Sequence, residues 1–263
     1  LDFTGTNLTI NGAGNTIEGD LQATVATAFT TGNGADLAIG GELVQDGEGD
    51  STLGADLAAD KGMDFGGTLT LKGDRDEIIT LTTDGAADSD IVLGGDLTNT
   101  DGESLNFNAG DQGDVAVVGT IGDLGTGDIT ITKAADATFA GKVTADNFTQ
   151  LDGTGTTTFE DTIDLSGSLD FTGNELVLNG STNTIEGDLL ATVATAFTTG
   201  NGADLDIGGE LVQDGEGDST LGANIAADKG MDFGGTLTLK GDSNEIITLT
   251  TDGAADSDIV LGG

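Results

Sequence analysis

Apolar residues along this chain alternate with polar ones in short runs and never fall into a sustained helical period. The alternation is plainest in Thr68-Leu69-Thr70-Leu71, Asp128-Ile129-Thr130-Ile131-Thr132 and Glu175-Leu176-Val177-Leu178. A period of two lets one side of an extended strand bury while the other faces water. A second pattern lies between the runs: an apolar residue, three residues of turn character, and another apolar residue. It occurs at Ile39-Gly-Gly-Glu-Leu43, Phe65-Gly-Gly-Thr-Leu69, Leu93-Gly-Gly-Asp-Leu97, Phe139-Ala-Gly-Lys-Val143 and Phe159-Glu-Asp-Thr-Ile163. Each reads as a strand, a tight bend and another strand, with Gly supplying the bend because it alone takes positive φ without steric cost. The run from Leu21 to Thr31 could be a short helix, but its Thr and Val content favours a strand.

The text also repeats on a long scale. Residues 1–95 align without gaps on residues 169–263, an offset of 168, with 83 of 95 positions identical. The changes include Thr6 to Asn174, Thr9 to Val177, Gln22 to Leu190, Ala38 to Asp206 and Arg75 to Ser243. The chain therefore divides into one full unit, 1–168, and a partial second unit, 169–263, continuous with it, and the natural protein is expected to continue in both directions.

Short strands with Gly-rich corners fit closed sandwiches, barrels or β-solenoids. Spacings between the bend motifs vary from about 12 to 28 residues, which suits solenoid coils with variable loops better than hairpins of constant length. The expected fold is all-β: a parallel β-solenoid of irregular coils built from tandem repeats. At about 20 to 24 residues per coil and roughly 4.8 Å of rise, the chain makes on the order of 11 to 13 coils and a rod roughly 55 Å long. Phe139 and Phe159 are one coil apart and should stack. The absence of Pro agrees, because a strand paired on both sides needs every amide as a donor.

Composition narrows the chemistry. The chain has 46 Gly and 41 Thr among 263 residues, and Pro, Cys, His, Trp and Tyr are absent. No base titrates near neutrality, no thiolate is present, and zinc lacks its usual ligands, so the chain reads as not an enzyme. With 7 basic against 47 acidic residues and a formal charge of −40, it also lacks the clustered cations that nucleic-acid binding requires. Disorder is the usual outcome at such charge, but a hydrophobic fraction of 36% in alternating runs supplies faces to bury. Aromatics are 4%, all Phe, which predicts a thin, aliphatic core. No 18-residue apolar stretch exists, so no membrane span is expected. Leu1-Asp2 shows neither initiator Met nor signal peptide, so the numbering is expected to begin inside a longer chain or after processing. A Cys-free acidic surface suits life outside a bacterial cell.

The text from Ala137 to Gly167, and most closely Leu151-Asp-Gly-Thr-Gly-Thr-Thr-Thr-Phe159, resembles the degenerate repeats of giant bacterial surface proteins of the filamentous-haemagglutinin and autotransporter-adhesin type. Weaker echoes cover most of the chain. The resemblance implies a right-handed β-helix and a place on the cell exterior.

Several acidic segments are candidate sites. Asp46, Glu48 and Asp50, repeated as Asp214, Glu216 and Asp218, set three carboxylates at alternate positions with Gly between them. Calcium wants several converging oxygens, so these six residues are the candidate metal ligands; the alternative is a solvated loop. The loop departs from an EF-hand at its sixth position, Ser51, and its twelfth, Leu57. Thr31 to Leu37 and Thr199 to Leu205 partly match a calcium nonapeptide, yet no second nonapeptide follows, so a turn is preferred. Asp84 to Asp90 and Asp252 to Asp258 are equally ambiguous, and Asp88 with Asp90 has the look of an acid/base pair but lacks the basic partner such a site needs. Thr-x-Thr pairs at Thr68/Thr70, Thr80/Thr82, Thr98/Thr100 and Thr130/Thr132 are spaced too irregularly for an ice-binding rank and read as outer strand positions.

The sequence thus points to an extracellular structural rod at the bacterial cell surface, the shaft of a filament, stalk or giant adhesin. Its expected partners are copies of itself or adjacent repeats end to end. The competing reading is an adhesin module whose loops hold a cell-surface glycan, with calcium as the one candidate cofactor. Few changes separate the two copies, and they reach strand positions such as Thr9/Val177, which favours spacer over reader.

Overall fold

A computed structural model describes residues 1–74, 77–122, 127–241, 246–254 and 257–262. Arg75, Ser243, Ala255 and Asp256 lie outside the described residues. The chain is a parallel β-solenoid of about 11 turns, and the described residues contain no helix. Three faces run the length of the rod. The first holds Leu43–Asp46, Met63–Phe65, Ile91–Leu93 and Val115–Val117 in succession. The second holds Asp50–Leu53, Leu69–Leu71 and Leu97–Asn99. The third holds Asn15–Ile17, Leu37–Ile39 and Leu57–Ala59. Every strand pairing is parallel, so at roughly 4.8 Å per coil the rod is about 50 Å long. At Ile121 the second face narrows to single bridges with Leu97 and Val143.

The bend motif is the corner of this prism. Its two apolar residues point inward from adjoining faces, as Phe65 and Leu69, or Leu93 and Leu97, all at most 1% exposed. Where coils touch at such corners only Gly fits: a Cβ on Gly95 would stand 2.5 Å from the carbonyl carbon of Gly67 below it. Other corners are rounded by one continuous strand. Leu21–Thr31 is a single strand, as its composition predicts, and its inward order passes from Leu21, Ala23 and Val25 to Phe29 and Thr31 across exposed Ala26 and Thr27.

The core is one continuous column of aliphatic side chains, with more aromatic content than a thin aliphatic reading implies. Nine of the ten Phe are fully buried. Phe139 and Phe159 stack at 5.0 Å with planes 13° apart, as their spacing predicts, and Phe148 meets both edge-on.

Outside the corners, Asp side chains tie coil to coil. Asp50 Oδ1 accepts the amide of Thr68, Asp56 that of Thr80, Asp90 that of Asp114, and Asp114 that of Asp136. These distances run from 2.7 to 3.1 Å. An amide that enters a strand from a corner thereby finds an acceptor in the coil beneath it.

Candidate functional site: the acidic corner loops

The loop from Asp46 to Asp50 rounds the corner between the first and second faces. It is built around a buried amide, not around its carboxylates. Gln45 occupies an inward strand position and is 0% exposed. Its Nε2 donates to the carbonyls of Gly49 at 2.9 Å and Asp46 at 3.3 Å, and its Oε1 accepts from Ser51 Oγ at 3.3 Å. Gly47 sits at φ 103°, where only Gly is unstrained. The second copy reproduces every element: Gln213 Nε2 donates to Gly217 and Asp214 at 3.0 and 3.1 Å, Ser219 donates to Gln213 Oε1 at 3.2 Å, and Gly215 sits at φ 95°.

The candidate calcium ligands take separate parts in this frame. Asp46 Oδ1 accepts the Gly47 amide at 2.6 Å and Asp214 Oδ1 the Gly215 amide at 2.7 Å. Asp50 and Asp218 accept the amides of Thr68 and Thr236 in the next coil at 3.1 and 2.9 Å. Glu48 and Glu216 stand exposed at the corner. Among the described residues no three acidic side chains gather closely enough to hold a metal ion. Asp46, Asp50, Asp214 and Asp218 each turn one carboxylate oxygen to a backbone amide, so these side chains serve the turn and the ladder between coils. Asp46 also acts on the coil above: burial pushes the Asp64 carboxyl up, and the charge of Asp46 adds to the shift.

The other acidic segments are also turns. Gly34 takes φ 65° and Ala35 donates to Gly32 at 3.0 Å, which closes the bend before Leu37. Asp84 accepts from the Ser89 hydroxyl and from the Ala86 amide at 2.9 Å. These bonds, the hydroxyl's first, hold its carboxyl below the usual range, and Asp252 is lowered the same way by Ser257 and Ala254. Asp90, which the sequence pairs with Asp88, accepts the Asp114 amide at 2.9 Å and so caps a corner. Lys133 is bracketed by Asp111 and, at 3.0 Å, Asp152 on neighbouring coils, while Lys142 meets Asp164 at 2.8 Å.

A shallow groove runs beside each acidic loop. In the first copy Thr4, Thr24, Val25, Ala26, Gly47 and Glu48 line about 320 Å³. In the second, the equivalent Thr172, Thr192, Val193, Ala194, Gly215 and Glu216 line about 560 Å³, because Asp152 to Thr154 of the preceding coil extend it. The side chains lining both grooves are Thr, aliphatic and acidic, joined in the second by the amide of Asn174, with no Lys or Arg among them. The residues that shape the loop, Gln45 and Gln213, carried a readable signal: an amide at an inward position of the alternation Leu43-Val44-Gln45. Comparison with known protein families, with curated proteins and with solved structures gives no match.

Proposed function

We propose that the chain is a segment of an extracellular structural rod, the shaft of a bacterial surface filament, stalk or giant adhesin, extended head to tail by further repeats or by copies of itself. One observation carries this reading: the two copies join without a break, with Asp170 of the second stacked in register on Thr149 of the first and one buried core running through both, so repeats of this kind extend the solenoid in tandem. The mechanism is mechanical: three non-coplanar sheets, bonded coil to coil and filled by one core, resist bending. The resemblance of the repeats to filamentous-haemagglutinin and adhesin proteins supports a place at the cell surface, and the charge of −40 keeps long arrays soluble. Electron microscopy of the full-length protein should find thin rods that lengthen with repeat number or join at their ends. Compact particles, or isolated monomers that never associate or extend, would overturn the reading.

A further inference from the structure

The long repeat and the coil are out of step. From Asp2, aligned positions climb the first face through Gln22, Val44, Asp64, Val92, Ala116 and Thr138 to Thr158, and the next coil brings Val177. Asp170, the repeat of Asp2, is not on that column. It stacks on Thr149, above Thr130, Asn106 and Thr80, on the third face. From there the same text climbs in the same steps, through Leu190, Val212 and Asp232 to Val260. A unit of 168 residues is thus one face short of eight coils. Two copies that are 83 of 95 identical fold onto different sides of the prism with the same internal spacing.

We infer that the unit is phased to display its surface all round the rod: each successive unit turns its acidic corner and adjoining groove onto the next edge, and three units return to the starting edge. The loop from Asp46 to Asp50 lies between the first and second faces, and its copy from Asp214 to Asp218 lies between the third and first. A flat surface laid along one side of the rod would meet a given corner only once in three units. That geometry deepens the rod reading and rests on it, because a display of this kind needs units in tandem.

The chain has no Cys, so the exposed pair Glu48→Cys and Glu216→Cys takes one gold cluster at each corner. Electron microscopy should place the two clusters about 37 Å apart along the axis and on different edges, a third of a turn apart. Two clusters in line on one edge would overturn the phasing while leaving the rod intact. A particle that is not a rod would instead overturn the reading beneath it. Circular dichroism of the double variant matching that of the parent confirms that the labels report the native fold.

Discussion

Replacing Gln45 with Ala should open the acidic corner more effectively than removing any of its carboxylates. Gln45 is 0% exposed, and its amide holds the Gly49 carbonyl at 2.9 Å, the Asp46 carbonyl at 3.3 Å and the Ser51 hydroxyl at 3.3 Å. Ala leaves the Gly49 carbonyl and Ser51 hydroxyl buried without that partner. Each such group costs about 1–3 kcal/mol, which gives about 2–6 kcal/mol for the variant. Gln45→Met keeps the volume and removes only the bonds, so it should lie at the lower end of that range. A solenoid opens locally, so amide hydrogen exchange at Gly49, Ser51 and Gly67 is the sensitive assay, with urea unfolding alongside. Exchange at these amides should quicken at least tenfold while coils remote from the corner keep their protection. Gln213 makes the same bonds at 3.0, 3.1 and 3.2 Å, so Gln213→Ala should match it and the double variant should be additive. Unchanged exchange in Gln45→Ala, or a higher urea midpoint in Gln45→Met, would refute the claim that the buried amide organises the loop.

Three further outcomes are expected. Asp96 Oδ1 accepts both the amide and the hydroxyl of Thr120, at 2.8 and 2.9 Å, so Asp96→Ala should cost about 1.5–3 kcal/mol in thermal unfolding while Asp96→Asn loses much less; equal losses would show that charge, not the acceptor, matters. The lowered carboxyls of Asp84 and Asp252 bind protons more readily in the unfolded chain, so their contribution is complete at neutral pH and is lost as pH falls through their depressed values. Amide exchange at Ala86 should therefore rise in acid below the ordinary aspartate range, and an acid-insensitive Ala86 would contradict this. Melting temperature should be the same in millimolar calcium and in chelator, because Asp46 and Asp50 already accept amides; a saturable rise, abolished by Asp46→Asn with Asp214→Asn, would show that the loops close on the ion.

Local structure was legible because each corner is written as two apolar residues four positions apart, and each strand as alternation. That reading places Phe65 and Leu69, or Phe139 and Val143, inside the prism on adjoining faces. What the sequence hid is alignment between coils. Steps between stacked residues range from 18, at Leu53 to Leu71, to 28, at Phe65 to Leu93, since loops outside the prism absorb the difference. The irregular Thr spacing, read against a rank, conceals one for this reason: Thr9, Thr30, Thr52, Thr70 and Thr98 stack in sequence on the second face. Thr70 and Thr98 touch through their hydroxyls at 3.1 Å. The phase of the long repeat was hidden by the same variation: 168 equals eight even coils of 21 or seven of 24, which would set both copies on the same faces, whereas the uneven coils leave the unit one face short of eight. The carboxylates of the acidic loop take parts that their alternate spacing does not show, because the bend sends Asp50 to the coil above and leaves Glu48 in solvent.

The acidity itself has two sources that the two copies separate. An Asp at a corner is short enough to accept the amide of the residue one coil on, and it stays hydrated there, so its charge is not desolvated. Stacked carboxylates such as Asp90, Asp114 and Asp136 repel one another by about 0.8 kcal/mol per neighbour at a coil's spacing in water, less in salt. A hydrogen bond to a charged group contributes about 1.5–3 kcal/mol, so the ladder wins. The bond does not need the charge. Asp56 accepts the Thr80 amide at 2.7 Å, and Asn224, which replaces it in the second copy, accepts the Thr248 amide at 2.9 Å. Asn147 and Ser168 likewise carry a corner ladder as neutral acceptors, at 2.8 and 3.0 Å. An acceptor at the corner is therefore the demand of the fold, and the choice of Asp over Asn at most corners adds negative charge that makes copies of this solenoid repel one another.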